Sequence, residues 1–294
     1  MAASLTPYRG RFAPSPSGPL HLGSLIAAVA SFLDARHQRG TWLLRMEDLD
    51  PPREQPGAAD AILHSLQQHG LHWDDEVLWQ AGRAGAYDQA LTSLWQAGHL
   101  FYCDCTRQLL GPEGCCGGRC RPRQAELKPS VATRVAVAGP ATVDFNDLWQ
   151  GRQHCELGLS VNDFTVLRKD GLYAYQLAVV VDDAAQGITH VIRGSDLLDS
   201  TARQIYLQQL LGFPTPVYGH FPVMLNEHGQ KLSKQNKAPA IDDSQACDNL
   251  RQALRFLRQP APPAGLATAA EILAFATTHW SRQAIPAGMG LAAD

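Results

Sequence analysis

Arg11 Phe12 Ala13 Pro14 Ser15 Pro16 Ser17 Gly18 Pro19 Leu20 His21 Leu22 Gly23 Ser24 is the stretch that decides the fold of this chain. Pro14, Pro16, Gly18 and Pro19 stop any strand or helix from continuing, so the extended run 9–13 must end there. The apolar, small-residue-rich run 22–33 reads as a buried helix. The run 41–46 (TWLLRM) then reads as a second strand, closed by Glu47 Asp48 Leu49 Asp50 Pro51 Pro52. A strand, loop, helix, strand unit builds a parallel sheet with ligands at the carboxyl ends of its strands. The loop lies at that end. The start of the following helix offers N–H donors and a positive dipole end to a phosphate, and Gly18 and Gly23 let it approach closely.

Helical patterns continue over 57–69 and 84–97. From 101 to 173 glycine and proline break the pattern, which predicts an inserted, partly β module. The run 175–181 reads as an apolar strand ending at Asp182 Asp183, 187–193 as a shorter strand, 199–211 as a helix and 218–225 as another strand. A polar loop, 226–237, follows. Two helices, 243–257 and 268–280, flank the Pro-rich 259–265. The fold predicted is α/β. Residues 1–100 and 174–240 form the two halves of a Rossmann-like domain, 101–173 the insertion and 241–294 a short helical tail.

At 294 residues there is room for one large or two ordinary domains. With 18% charged and 45% apolar residues the composition is globular rather than disordered. No apolar run approaches the roughly 20 residues of a membrane span. The first residues lack a basic stretch followed by an apolar segment, so a cytoplasmic protein is expected. A net charge of -3 gives no global attraction to nucleic acid, and any RNA contact must come from a local basic patch.

Lys231 Leu232 Ser233 Lys234 Gln235 stands in the polar loop. Two lysines bracketing a serine can neutralise charge growing on a transferring phosphate and its pyrophosphate leaving group. Alone, this segment reads as a solvated loop and His21 as a surface histidine. Together they resemble the paired signature of class I aminoacyl-tRNA synthetases, His21 to Ser24 matching the HIGH element and Lys231 to Gln235 the KMSKS element. Ser24 and Leu232 depart from the usual residues. Arg45 Met46 Glu47 Asp48 Leu49 Asp50, Val181 Asp182 Asp183 and the Gly187 to Gly194 segment resemble the glutamyl and glutaminyl branch. Asp50 Pro51 Pro52 Arg53 Glu54 and Lys231 to Asn236 resemble the glutamyl-Q tRNA(Asp) synthetases.

That resemblance implies tRNA-independent activation of L-glutamate by ATP, accompanied by Mg²⁺, to glutamyl-adenylate, and transfer to the queuosine base of tRNA(Asp). It gives His21 and Lys234 the catalytic roles and ATP to His21, Gly23, Lys231, Ser233 and Lys234. Glutamate falls to Arg11, Phe12, Ala13, Pro14, Ser15, Glu47, Tyr175 and Arg193. Charge matching agrees: free glutamate has two carboxylates and one ammonium, which call for two guanidinium groups and a carboxylate. Glu47 suits the ammonium. Taken singly, Arg193 reads as a structural ion pair and Tyr175 as a core aromatic. Glu47 with Asp48 and Asp50 is a second-ranked magnesium site, since Mg²⁺ in such chemistry is held largely by the ATP phosphates.

Five of the seven cysteines, Cys103, Cys105, Cys115, Cys116 and Cys120, fall in one window, which in a cytosolic chain favours a metal over disulfides. Four thiolates close a tetrahedral zinc site. By resemblance the ligands are Cys103, Cys105, Cys116 and Cys120, with Cys116 where the family commonly has tyrosine and Cys115 as its competitor. Cys155 and Cys247 read as buried small apolar residues. The expected protein is a monomer with one structural Zn²⁺ and no anticodon-binding domain. An ordinary glutamyl-tRNA synthetase and a non-catalytic zinc-bearing RNA-binding paralogue are the alternatives; the short C-terminal tail argues against the first, and intact His21, Lys234, Glu47 and both arginines against the second.

Overall fold

In the computed structural model of the protein, β1 (Arg9–Phe12), α1 (Leu22–His37) and β2 (Thr41–Met46) form the predicted unit, with the strands parallel and Arg11 opposite Leu43. The structure describes residues 7–110, 114–126, 130–137, 142–158, 162–226, 229 and 239–292. Leu25, Ile26, Val29, Phe32 and Leu33 of α1 are all buried. A helix apolar on all sides must be covered on all sides, here by the sheet and by the C-terminal tail. α2 (Ala58–Gln68), β3 (Leu78–Trp79), parallel to the end of β2, and α3 (Ala84–Gln96) complete the first half.

The region expected as an insertion contains β4 (Leu100–Cys103), α4 (Arg107–Leu110), β5 (Ala132–Val135), a hairpin of β6 (Thr142–Asp147) and β7 (Gly151–Glu156), and β8 (Phe164–Leu167). β4, β5 and β8 form an antiparallel sheet in that order. The tip of the hairpin is fixed to the second half of the chain. The Leu148 amide donates to the Tyr218 carbonyl at 3.0 Å. A side chain at Gly219 would stand 2.7 Å from the Trp149 ring, so glycine is what permits the close approach.

The second half contains α5 (Tyr175–Ala185), β9 (His190–Gly194), α6 (Leu198–Leu211), β10 (Val217–Phe221) and β11 (Val223–Leu225). β9 and β10 are parallel, and Thr189 N donates to Arg9 O at 2.9 Å, setting β9 beside β1. One expectation fails here. Residues 175–181 are helical, not a strand. An apolar run buried all round carries no alternation to separate the two, and Asp182 and Asp183 do not end it because both are buried with partners. Asp182 accepts from Gln80 Nε2, Arg83 Nε and Tyr87 Oη at 2.8, 3.0 and 2.7 Å. The strand expected over 218–225 is split at Pro222, which has no N–H for a ladder.

The tail supplies α7 (Ala246–Phe256), α8 (Ala269–Thr278) and β12 (Gly290–Ala292), which runs parallel to β11. Leu250, Leu254, Ile272, Leu273 and Trp280 join the core around α1. Asp34 of α1, wholly buried, accepts from Tyr8 Oη at 2.6 Å, Trp280 Nε1 at 3.0 Å and Arg282 at 2.7 and 2.8 Å. Burial pushes the Asp34 carboxyl up, but Arg282 and the other donors outweigh it and hold it below the usual range. Removing one partner of such a buried pair costs about 3–5 kcal/mol, so the tail is tied to the first half rather than loosely appended. No helix among the described residues is long and apolar enough to cross a membrane.

Candidate active site

His21 caps α1. Its Nδ1 accepts from the Ser24 amide at 3.3 Å, while the Ser24 hydroxyl accepts from the His21 amide at 2.8 Å, a reciprocal box. Ser24 therefore has a local task that histidine at that position would not perform in the same way. With Nδ1 accepting, the proton of a neutral ring belongs on Nε2. His21 also forms an antiparallel bridge with Ala240, and Ile241 N donates to Leu20 O at 3.0 Å. The chain thus returns beside the start of α1 directly after the KMSKS-like segment. Lys231, Ser233 and Lys234 themselves lie outside the described residues.

A cavity of about 650 Å³ opens at the carboxyl ends of β1 and β9. Arg11, Phe12, Ala13, Pro14, Ser15, His21, Gly23, Glu47, Tyr175 and Arg193 all line it, so every described residue expected to meet glutamate or ATP is brought to one place. A second cavity, of about 1040 Å³, shares Ser15, Ser17, Glu47, Arg53 and Tyr175 with it and reaches Arg107 and Arg168 of the insertion.

The cavity floor is charged and already partly paired. Arg11 forms a fork with Asp183, Nε to Oδ1 at 3.1 Å and Nη2 to Oδ2 at 3.2 Å. Arg45, fully buried, donates to Asp183 Oδ1 at 2.8 Å and to Gln186 Oε1 at 2.9 Å, and its Nη2 lies 3.7 Å from Glu47 Oε1. Arg193 is held by His220, Thr201 and the Tyr175 hydroxyl. Neither Arg11 nor Arg193 presents its whole fork to a ligand; Arg11 offers its remaining terminal N–H groups and Arg193 a single Nη1 hydrogen. Asp48 and Asp50 turn elsewhere, to the Ala81 amide and to Arg53 and Arg168, and do not converge with Glu47 as a cation site.

Burial pushes the Glu47 carboxyl above its ordinary value, with Arg45 and Arg11 opposing and Asp183 adding to the rise. An ammonium group placed against Glu47 favours its ionised form, so binding of an amino acid must release protons where Glu47 is partly protonated. At mildly acidic pH the heat of glutamate binding is expected to depend on the ionisation enthalpy of the buffer, and affinity to fall as pH falls. Calorimetry in two buffers checks this, and the proton release should vanish in Glu47→Gln. Equal proton release in the variant would remove Glu47 from the ammonium site.

Asp147, Thr201 and His220 carry no local motif that would mark them in the sequence, and Arg45 and Asp183 stand in family-like segments without a role being evident there.

In the insertion, Cys103, Cys105, Cys116 and Cys120 are buried with their sulfurs all within 4.8 Å of one another. Cys105 to Cys120 is 3.5 Å and Cys120 to Cys103 is 3.6 Å. Tetrahedral zinc with Zn–S near 2.3 Å needs sulfurs about 3.8 Å apart, so the set fits the ion. Cys115 is half-buried outside the cluster and accepts from the Gly117 amide at 3.2 Å. Cys155 and Cys247 are half-buried at core edges, more exposed than expected.

The family model for the catalytic domain of class I tRNA synthetases (E and Q) matches residues 8–113 and 121–262. In fold the chain is similar to a glutamate tRNA ligase from Elizabethkingia meningosepticum CCUG26117, solved in complex with its amino acid: TM-score 0.80, 23% identity, 98% of this chain and 67% of that one. It is 50% identical over 281 residues to the glutamyl-Q tRNA(Asp) synthetase of Pseudomonas putida (strain W619), covering 95% of this chain and 94% of that protein. With the glutamyl-Q tRNA(Asp) synthetase of Neisseria meningitidis serogroup C (strain 053442) it shares 48% over 289 residues, 95% and 97% of the two chains. The chain belongs to the glutamyl-Q tRNA(Asp) synthetase family.

Proposed function

We propose that this chain is a ligase that activates L-glutamate with ATP, without tRNA, and passes the glutamyl group to the queuosine base of tRNA(Asp). The observation that carries the first step is the single cavity joining Arg11, Glu47 and Arg193 to His21 at the start of α1. Glu47 takes the ammonium and the two arginines the carboxylates, with Phe12 to Ser15 and Tyr175 shaping the walls. A glutamate α-carboxylate oxygen attacks the α-phosphorus of ATP; the bond to the bridging oxygen breaks and pyrophosphate leaves. His21, the α1 N-terminus at Gly23, and Lys231, Ser233 and Lys234 stabilise the charge on the phosphates, and Mg²⁺ enters with ATP. The similarity to glutamyl-Q tRNA(Asp) synthetases supports the acceptor. Cys103, Cys105, Cys116 and Cys120 would hold one structural Zn²⁺, keeping the insertion folded beside the cavity. The reading includes a monomer in the cytoplasm.

Exchange of pyrophosphate into ATP with glutamate and no tRNA tests the activation step. It should proceed in the wild type, and Lys234→Ala should lower its rate by about 100- to 1000-fold, the effect of removing one preorganised charge-stabilising donor. Exchange absent from the wild type would contradict the proposal; exchange in Lys234→Ala near the wild-type rate would contradict the role of Lys234.

A further inference from the structure

Behind the cavity a buried chain of three side chains crosses from the insertion to the substrate pocket. Asp147 ends β6, His220 lies in β10 and Arg193 in β9, and none is more than 5% exposed. Asp147 Oδ2 lies 2.5 Å from His220 Nδ1. Its other oxygen, Oδ1, accepts from the amides of Trp149, Gln150 and His220 at 3.0, 3.0 and 3.1 Å. An ionised carboxylate only accepts, so His220 Nδ1 carries the ring proton and Nε2 is left as an acceptor. Arg193 Nε donates to that atom at 2.9 Å. Arg193 Nη2 donates to Thr201 Oγ1 at 2.9 Å and Leu197 O at 3.4 Å, and Nη1 to the Tyr175 hydroxyl at 3.3 Å. One Nη1 hydrogen is left uncommitted among the described residues.

The charges agree with this tautomer. Burial pushes the His220 pKa down, and adjacent Arg193 adds to that, against the opposing pull of Asp147. Burial pushes Asp147 up, but His220 and the amides outweigh it and keep the carboxyl ionised. Arg193 is thus held by a neutral ring, whereas Arg11 is held by a carboxylate. The positive charge of Arg193 remains available to a substrate anion.

We propose that Asp147 is a positioning residue for glutamate selection: it fixes the tautomer of His220, which fixes the plane of Arg193 so that its last Nη1 hydrogen meets a substrate carboxylate. This inference rests on the reading of Arg193 as a carboxylate-binding group. Asp147→Asn tests it with almost no change in volume. The three amides keep the Asn carbonyl on the Oδ1 side, so its NH₂ group replaces Oδ2 and donates to Nδ1. The ring proton then moves to Nε2, where it can turn to Thr201 Oγ1 at 3.1 Å and faces Arg193 Nε–H donor to donor, so that Arg193 Nε–H loses its acceptor.

Nitrogen-15 NMR of histidine-labelled protein and steady-state pyrophosphate exchange read the two halves of the claim. The wild type should show the His220 proton on Nδ1 and Asp147→Asn on Nε2. In the variant, KM for glutamate should rise about 10- to 100-fold, the effect of a buried N–H that faces no acceptor, while KM for ATP stays unchanged. If Arg193→Ala leaves the glutamate KM unchanged, the underlying reading of Arg193 falls and the relay with it. If Arg193→Ala raises it but a folded Asp147→Asn does not, the relay alone is wrong. Should Asp147→Asn fail to fold, the wild-type spectrum decides: a proton on Nδ1 supports the relay, and one on Nε2 overturns it.

Discussion

Glutamate-dependent pyrophosphate exchange should exceed glutamine-dependent exchange by about 10⁴ or more in kcat/KM, as sites built on buried polar pairing discriminate against a ligand that lacks the pairing group. The cavity gives the reason. Arg11 and Arg193 are each 5% exposed or less and offer only N–H donors. A glutamine side chain turns an NH₂ group toward one of them, donor against donor, and leaves a buried guanidinium hydrogen without an acceptor. The prior pairing sharpens this effect. Asp183 locks the Arg11 fork and His220 locks Arg193, so neither guanidinium is free to rotate and accommodate the amide. Comparable exchange rates with the two amino acids would show that the arginines do not read the side-chain carboxylate.

The second large effect is expected from the cysteine cluster. One equivalent of Zn²⁺ should copurify with the protein and contribute about 10 kcal/mol to folding of the insertion, the scale of structural zinc sites. Metal analysis of Cys116→Ser and Cys115→Ser separates the adjacent candidates. Loss of zinc is expected from the first alone, because Cys116 sits with the other three sulfurs while Cys115 lies outside them against the Gly117 amide. Zinc lost only from Cys115→Ser would overturn the assignment.

The parallel unit around α1 was legible because Pro14, Pro16 and Pro19 punctuate it and its apolar runs have different lengths. The helix at Tyr175–Ala185 was not. It is buried on all sides, so its apolar residues follow no face, and its acidic end resembles the end of a strand until the burial of Asp182 and Asp183 is seen. Charge matching to glutamate picked out Arg11, Glu47 and Arg193, which do share a cavity. It could not reveal that both arginines are braced from behind. Asp183 is 172 positions from Arg11, and His220 is 27 from Arg193 and 73 from Asp147. Pairings over such separations are set by the folded sheet and leave no local pattern. The cysteine spacing kept Cys115 and Cys116 as neighbours in contention, and only the folded chain separates them, burying the Cys116 sulfur with the other three.

The central claim, that the activated glutamate goes to a modified base rather than to a terminal ribose, is tested most directly by following the label. Radioactive glutamate is offered with ATP to tRNA(Asp) with and without queuosine, and the product is then stripped of its 3′-terminal adenosine. Label that requires queuosine and survives the trimming is the expected result. Label on tRNA(Glu) that leaves with the terminal adenosine would contradict the proposal and make the chain an ordinary glutamyl-tRNA synthetase.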